Sequence, residues 1–214
     1  KGALDNANKV LGSNSNLSID IAGYFEPASA ALANTTSAVI GAGTTITLTG
    51  NAGIWAKEAT TLTAVTGTGS GGVVAAGGSV AIAILNGTTQ VIINGSVSAN
   101  GTVTVQAENT INGTRFCAKS GSAGVIGLGA AVAYMDVTGT TQILIGSTGS
   151  LSGKSGVNGN AVLTINVSPE ADGYGVGWAS AGMAASRLKV TGKTLITANA
   201  GSKLASANGD VSLN

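Results

Sequence analysis

Two carboxylates stand close together in this sequence, Glu170 and Asp172, in the run Pro169-Glu170-Ala171-Asp172. Residues two apart on a strand share a face, so in a groove such a pair is the acid/base chemistry of polysaccharide lyases and hydrolases. The plainer reading is a solvated loop after Pro169. The other acids, Asp5, Asp20, Glu26, Glu58, Glu108, Asp136 and Asp210, are scattered, without the basic cluster or the several-acid calcium cage a lyase would want. Cys117 has a cation nearby in Arg115, but the chain contains no His to act as its base, so Cys117 is expected to be a small buried hydrophobe. One Cys and no His also exclude an internal disulfide framework and a zinc site. Gly121 to Gly129 has the composition of a phosphate loop, but no Lys-Ser/Thr follows it and the same string recurs elsewhere, which favours packing. The calcium nonapeptide Gly-Gly-x-Gly-x-Asp is absent. No catalytic, cofactor-binding or metal-binding residue is assigned, no cofactor is expected, and the chain is not expected to be an enzyme.

The elements that would position any such residues must be built from an unusual composition. Of 214 residues 34 are Gly and two are Pro, with 9% charged and 3% aromatic. Ten basic and nine acidic residues leave a formal charge of +1, so no long-range field draws nucleic acid or anionic lipid. Apolar area comes from Ala, Val, Ile and Leu, which suit a pleated, half-buried surface. The uncharged stretches Gly71–Leu85 and Gly121–Met135 are shorter than the roughly 20 residues of a spanning helix, so membrane insertion is not expected. Residues 1–12 lack the apolar core of a signal peptide, which would make a secreted form of this chain a mature or interior piece.

The dominant signal is an internal repeat. GVVAAGGSVAIAILNGTTQVII from Gly72, GVIGLGAAVAYMDVTGTTQILI from Gly124 and GWASAGMAASRLKVTGKTLITA from Gly177 overlay at offsets of 52 and 53 residues. Asn34 to Ile40 matches Gly87 to Ile93 as a worn earlier copy. Ala81, Ala83 and Leu85 align with Ala133, Met135 and Val137 and with Ser186, Leu188 and Val190 as an inner face. The columns Ile82/Tyr134/Arg187 and Ile84/Asp136/Lys189 vary, as an outer face does. A second element of period-two alternation recurs as TTITLTG from Thr44, TVTVQAE from Thr102, VLTINVS from Val162 and DVSLN at the end. In it Val103, Val105 and Ala107 should point in, and Thr102, Thr104 and Gln106 out. Asn100-Gly101 and Asn208-Gly209 read as turns with positive φ, and the Gly-rich stretches Gly67–Gly78 and Gly121–Gly129 as tight turns. The triplets at Asn16, Asn34, Asn86, Asn94, Asn100, Asn112 and Asn166 are glycan acceptors in form and are read as turn residues and polar ladders.

A strand repeat buries its apolar face only by stacking on neighbours. Trp55 and Trp178 hold unrelated repeat positions, so the periodic aromatic of a propeller is missing. The expected fold is all-β, a right-handed parallel β-helix (β-solenoid) built from tandem repeats of about 52–53 residues, read as two rungs of about 26 residues each, roughly eight in all, or alternatively as three shorter rungs per repeat. The divisions are 1–36 as a degenerate repeat or joint, repeats at 37–89, 90–141 and 142–194, and the start of another at 195–214, all one continuous solenoid.

The run Ser79 to Asn109, SVAIAILNGTTQVIINGSVSANGTVTVQAEN, resembles the repeat of the leukotoxin-type filamentous adhesins, and Ala131 to Gly153 and Leu32 to Leu48 repeat parts of its pattern. The resemblance implies a passenger segment of a very large secreted or surface-attached bacterial protein, folded as a β-helical fibre, adhesive or cytotoxic, with no catalytic residues in the motif. An open rung leaves unpaired strand groups, so neighbouring repeats or copies of itself end to end are expected as partners, with host-cell or bacterial surface receptors or glycans contacted through exposed loops. The third copy departs from the pattern at Arg187, Lys189 and Lys193 and in an apparent insertion, SGKSGVNGN between Ser152 and Asn160, which is read as a contact loop. Asp20–Ala28, with Tyr24, Phe25 and Pro27, is read as a cap or joint.

Overall fold

The computed structural model describes residues 32–214. The readings of Asp5, Asn16, Asp20, Glu26, the segment Asp20–Ala28 and most of 1–36 lie outside the described residues. Every element among the described residues is a strand, and they succeed one another in four layers. The first layer is β1 (Leu32–Ile40), β2 (Thr45–Leu48) and β3 (Ala52–Gly71). The second is β4 (Val74–Ile93), β5 (Ser96–Ala99) and β6 (Thr102–Ala123). The third is β7 (Ile126–Ile145), β8 (Ser150–Gly153), β9 (Gly156–Asn166) and β10 (Pro169–Val176), and the fourth β11 (Ala179–Ala198), β12 (Lys203–Ser206) and β13 (Val211–Leu213).

Like strands of successive layers pair in parallel and make three sheets. One is β1-β4-β7-β11, and a short one is β2-β5-β8-β12. The third joins β3, β9 and β10 to β6, with β13 on β9. Partners lie between 51 residues apart, as Thr45 with Ser96, and 54 apart, as Val103 with Val157. The expected 26-residue rungs are therefore not present: one circuit takes about 52 residues and crosses three sheets. Two of the faces are long, because strands of 20 residues can each span about 66 Å when straight. Four layers at about 4.8 Å give a stack nearer 15 Å deep than the 40 Å that eight rungs would reach.

Alternation places the inner columns where the sequence puts them. Val103, Val105 and Ala107 are at most 1% exposed, as are Ala133, Met135 and Val137. Val91, Ile93, Val97, Ile143, Ile145, Leu151 and Val157 join the first set in one core beside the short sheet. Burying each such side chain contributes about 1.5–3 kcal/mol. Toward the other end of the long strands the two sheets converge and the interior changes to Gly, Ala and Ser. The Ser79 hydroxyl meets that of Thr66 at 2.8 Å, and Thr68 donates to Ser120 at 3.3 Å. From the third layer onward the approach is closer still: a Cβ on Gly127 would stand 2.8 Å from the Val176 carbonyl oxygen, and one on Gly182 of the fourth layer 2.7 Å from Cα of Tyr174.

This convergence corrects the reading of the Gly-rich stretches as turns. They are mostly extended strand, and the reversal itself is brief, at Gly72-Val73, Gly124-Val125 and Gly177-Trp178. Gly72 alone of these turn residues has positive φ, at 150°. Neither Asn100-Gly101 nor Asn208-Gly209 uses positive φ, although both lie at turns. The second repeated element also needs correction. Thr45–Leu48 belongs to the short sheet, and Val162 pairs with Glu108 rather than with Thr102. Only DVSLN keeps the proposed alignment, through Val211 on Val157 and Val157 on Val103. Period-two alternation specifies a face but not which neighbour a strand pairs with. SGKSGVNGN is likewise no inserted loop: Gly156–Asn160 pairs residue for residue with Thr102–Gln106.

Candidate functional site

The two carboxylates singled out in the sequence share one exposed outer face. Pro169 opens strand β10 rather than a loop, because it stands at the first position, where its missing N–H is tolerated. Glu170 and Asp172 both project from the outer face, beside Cys117 and Lys119 of β6. Asp172 is held by Lys119 at 3.4 Å, with both side chains more than half exposed. Cys117 itself is a free, buried thiol. The outer positions of the third copy are cross-strand partners. Lys189 donates to Asp136 at 2.9 Å, and Arg187 lies 5.9 Å from the ring centre of Tyr134. The hydrogen bond to Asp136 and its charge raise the pKa of Lys189 above the ordinary lysine value. That contribution is present below the unfolded lysine pKa and is lost only as pH rises through the folded one. Tyr134 departs from expectation, being only 5% exposed on what the repeat marks as an outer column.

One acid is inside. Glu58, 7% exposed, accepts hydrogen bonds from Asn34 Nδ2 at 2.6 Å, Thr60 Oγ1 at 3.1 Å and Thr89 Oγ1 at 3.1 Å. The three donors satisfy a carboxylate that alternation turns inward. Its neighbour Asn109 is fully buried, and neither amide atom has a partner among the described residues. A Cβ on Gly87 would stand 3.2 Å from Asn109 Nδ2, so Gly87 makes room for that side chain. Leu163 occupies the matching position on β9. Asn109→Leu, nearly isosteric, is therefore expected to stabilise the protein by about 1–3 kcal/mol, because it removes an unpaired buried amide. A thermal unfolding midpoint below that of the unchanged chain would contradict this.

Outside, polar side chains form ladders across layers. Gln142 donates to Gln90 at 2.7 Å and Gln90 to Ser37 at 3.0 Å. Asn166 donates to Asn112 at 3.4 Å, so two of the glycan-acceptor triplets stack on one another. Asn34 is engaged by Glu58. The exposed aromatics are what sequence reasoning passed over. Trp55 is 65% exposed on the outer face of β3, and its ring lies over Gly53, where a Cβ would be 2.7 Å from it. Tyr174, 59% exposed, covers Gly121 of the neighbouring strand in the same manner. Trp178, 85% exposed, stands at the reversal that carries Val73 and Val125 in the layers before it. The available signal for Trp55 was parity: Ala52, Ile54 and Ala56 turn inward, so Trp55 and Lys57 must turn out.

Around Trp55 the register builds a small outer grid. Trp55 pairs with Gln106, which pairs with Asn160, and Lys57 pairs with Glu108. Lys57 Nζ lies 3.0 Å from Glu108 Oε2, and Gln106 Nε2 donates to the same oxygen at 3.4 Å. Trp55, Ala56, Lys57, Gln106 and Glu108 line a recess of about 380 Å³. Among the described residues no group of acids, Cys or His is placed to hold a metal ion, and no helix is long and apolar enough to cross a membrane. Comparison with protein-family models, with curated proteins and with solved structures returned no match.

Proposed function

We propose that the chain is a section of a right-handed parallel β-helix, a structural and adhesive segment of a large secreted or surface-attached bacterial protein rather than an enzyme. The observation that carries this reading is the continuity of register. Three parallel sheets surround shared interiors, and each layer repeats the inward columns of the one before at a spacing of 51 to 54 residues. Parallel strands joined by such crossovers are almost always right-handed. Layers of this kind extend by addition, each new one covering the apolar columns of the last. The fibre's outer faces then carry the variable residues, which fits contact with surfaces better than turnover of a substrate. Adhesion and export rest on the resemblance of Ser79–Asn109 to the filamentous adhesins. The purified chain should adhere to bacterial or host cells in a saturable manner, and failure to bind cells, matrix or other bacteria would remove the adhesive half of the proposal.

A second reading, self-assembly into an extracellular filament, draws on β11. Leu188 and Val190 hold inward columns there yet are 43% and 46% exposed, and the outer edge of β11 carries no strand among the described residues. Such an edge is a template for another strand, from a further layer of the same protein or from a second copy. Electron micrographs showing end-to-end growth of the isolated chain would favour it, and dispersed particles at all concentrations would exclude it.

A further inference from the structure

We propose that the recess at Trp55 is a binding subsite for a neutral oligosaccharide, an inference that rests on the adhesive reading and names its ligand chemistry. Trp55 lies over Gly53, so the backbone supports one side of the indole while 65% of the residue remains open to solvent. A supported aromatic face with a negative quadrupole attracts the weakly positive C–H face of a sugar ring. The rim is polar and mixed in character. Gln106 supplies an amide donor and acceptor, Lys57 a donor and Glu108 an acceptor, with Asn160 next in line beyond Gln106. Hydroxyl groups both donate and accept, and this mixture answers them. The strand spacing of about 4.8 Å sets these groups at intervals comparable to the width of a sugar ring.

Other occupants fit less well. Lys57 and Glu108 neutralise one another at 3.0 Å, so the recess has no charge to select a phosphate, a nucleic acid or a strongly acidic chain. An extended peptide gains its affinity by adding to a sheet edge. Here the recess lies on the outer face over the β3–β6 ladder, whose backbone groups are paired, and its lining side chains stand on that face rather than along the open edge of β3. A helix would need a broad apolar groove, and Trp55 and Ala56 are the only apolar lining residues.

The test uses the full chain in a Trp178→Phe background, so that tryptophan emission reports Trp55 alone. Neutral oligosaccharides terminating in glucose, galactose or N-acetylglucosamine are titrated in, with a polyanionic glycan and an extended peptide as comparison probes. The expected result is a saturable change in emission with at least one neutral sugar and protection of Trp55 from acrylamide quenching. Trp55→Ala, followed by calorimetry, and Glu108→Ala should each weaken binding of that sugar at least tenfold with unchanged circular dichroism, while Tyr174→Ala should leave it unaltered. Absence of saturation with every neutral sugar, unchanged affinity in Trp55→Ala, or tighter binding of the peptide or polyanion would overturn the proposal. Cell adherence that persists in Trp55→Ala and in excess sugar would sink the subsite but leave the adhesive reading standing. Sugar binding at Trp55 without adherence to any cell would uphold the subsite and count against adhesion.

Discussion

Gly173→Val is expected to abolish cooperative folding of the narrow end of the stack. Gly173 faces inward from β10, and a Cβ there would coincide with the Met183 carbonyl and stand 2.7 Å from its carbon. The obstacle is backbone of the opposite sheet, which is itself fixed by twenty ladder pairs between β11 and β7. Overpacking an ordinary core costs about 1–3 kcal/mol because side chains shift. Here no side chain can move aside, so the two sheets must separate and the inward-facing ladder of this end is opened to water. The loss should exceed that range, appearing as a large fall in thermal midpoint or as aggregation on expression. Gly78→Ala supplies the contrast, since a Cβ there meets nothing within 4 Å. Equal tolerance of the two substitutions would show that the sheets are not in backbone contact.

At the wide end the expected failure is a cavity rather than a clash. Ile143 is 1% exposed between β4 and β11 and packs in the core that also holds Val91, Ile93 and Leu151. Ile143→Ala should cost about 2–5 kcal/mol, the lost transfer energy together with the void left behind. Leu144, its neighbour in sequence, alternates to the outer face and is only partly buried. Leu144→Ala should therefore cost markedly less, about 1 kcal/mol or less. Denaturant unfolding of both variants reads the difference, and a reversed order would mean that the strand is turned over.

These two sites also show what could be read before the structure. Ile143 is one of three consecutive apolar residues, Ile143-Leu144-Ile145, and no pattern within that run says which one is inside. The columns Ala133/Met135/Val137 were legible because Asp136 interrupts them and marks parity. Parity also made Val103 and Val105 legible. The pairing distance was a harder matter: the repeat gives 52 or 53, but nothing local says whether the chain closes one circuit or two in that length. Gly127 and Gly129 fall in a stretch that reads as a turn, since their purpose is set by the backbone of Val176 and Tyr174, far away in sequence. The interior position of Glu58 follows from alternation with Ala52, Ile54 and Ala56, but its donors come from Asn34 and Thr89, 24 and 31 residues away. The Trp55 recess depends on the register of two strands, β3 and β6, and was invisible without it.

Disulfide trapping tests most directly whether one circuit takes the whole repeat. In a Cys117→Ala background, Thr104→Cys with Asn158→Cys places two thiols on the outer face at paired positions of β6 and β9. Parallel neighbours lie about 4.8 Å apart, within the Cα separation that a disulfide tolerates. Mild oxidation should close this bond readily, and should leave Thr104→Cys with Gly78→Cys, half a repeat apart, as free thiols. A bond between 78 and 104, with none between 104 and 158, would contradict the account.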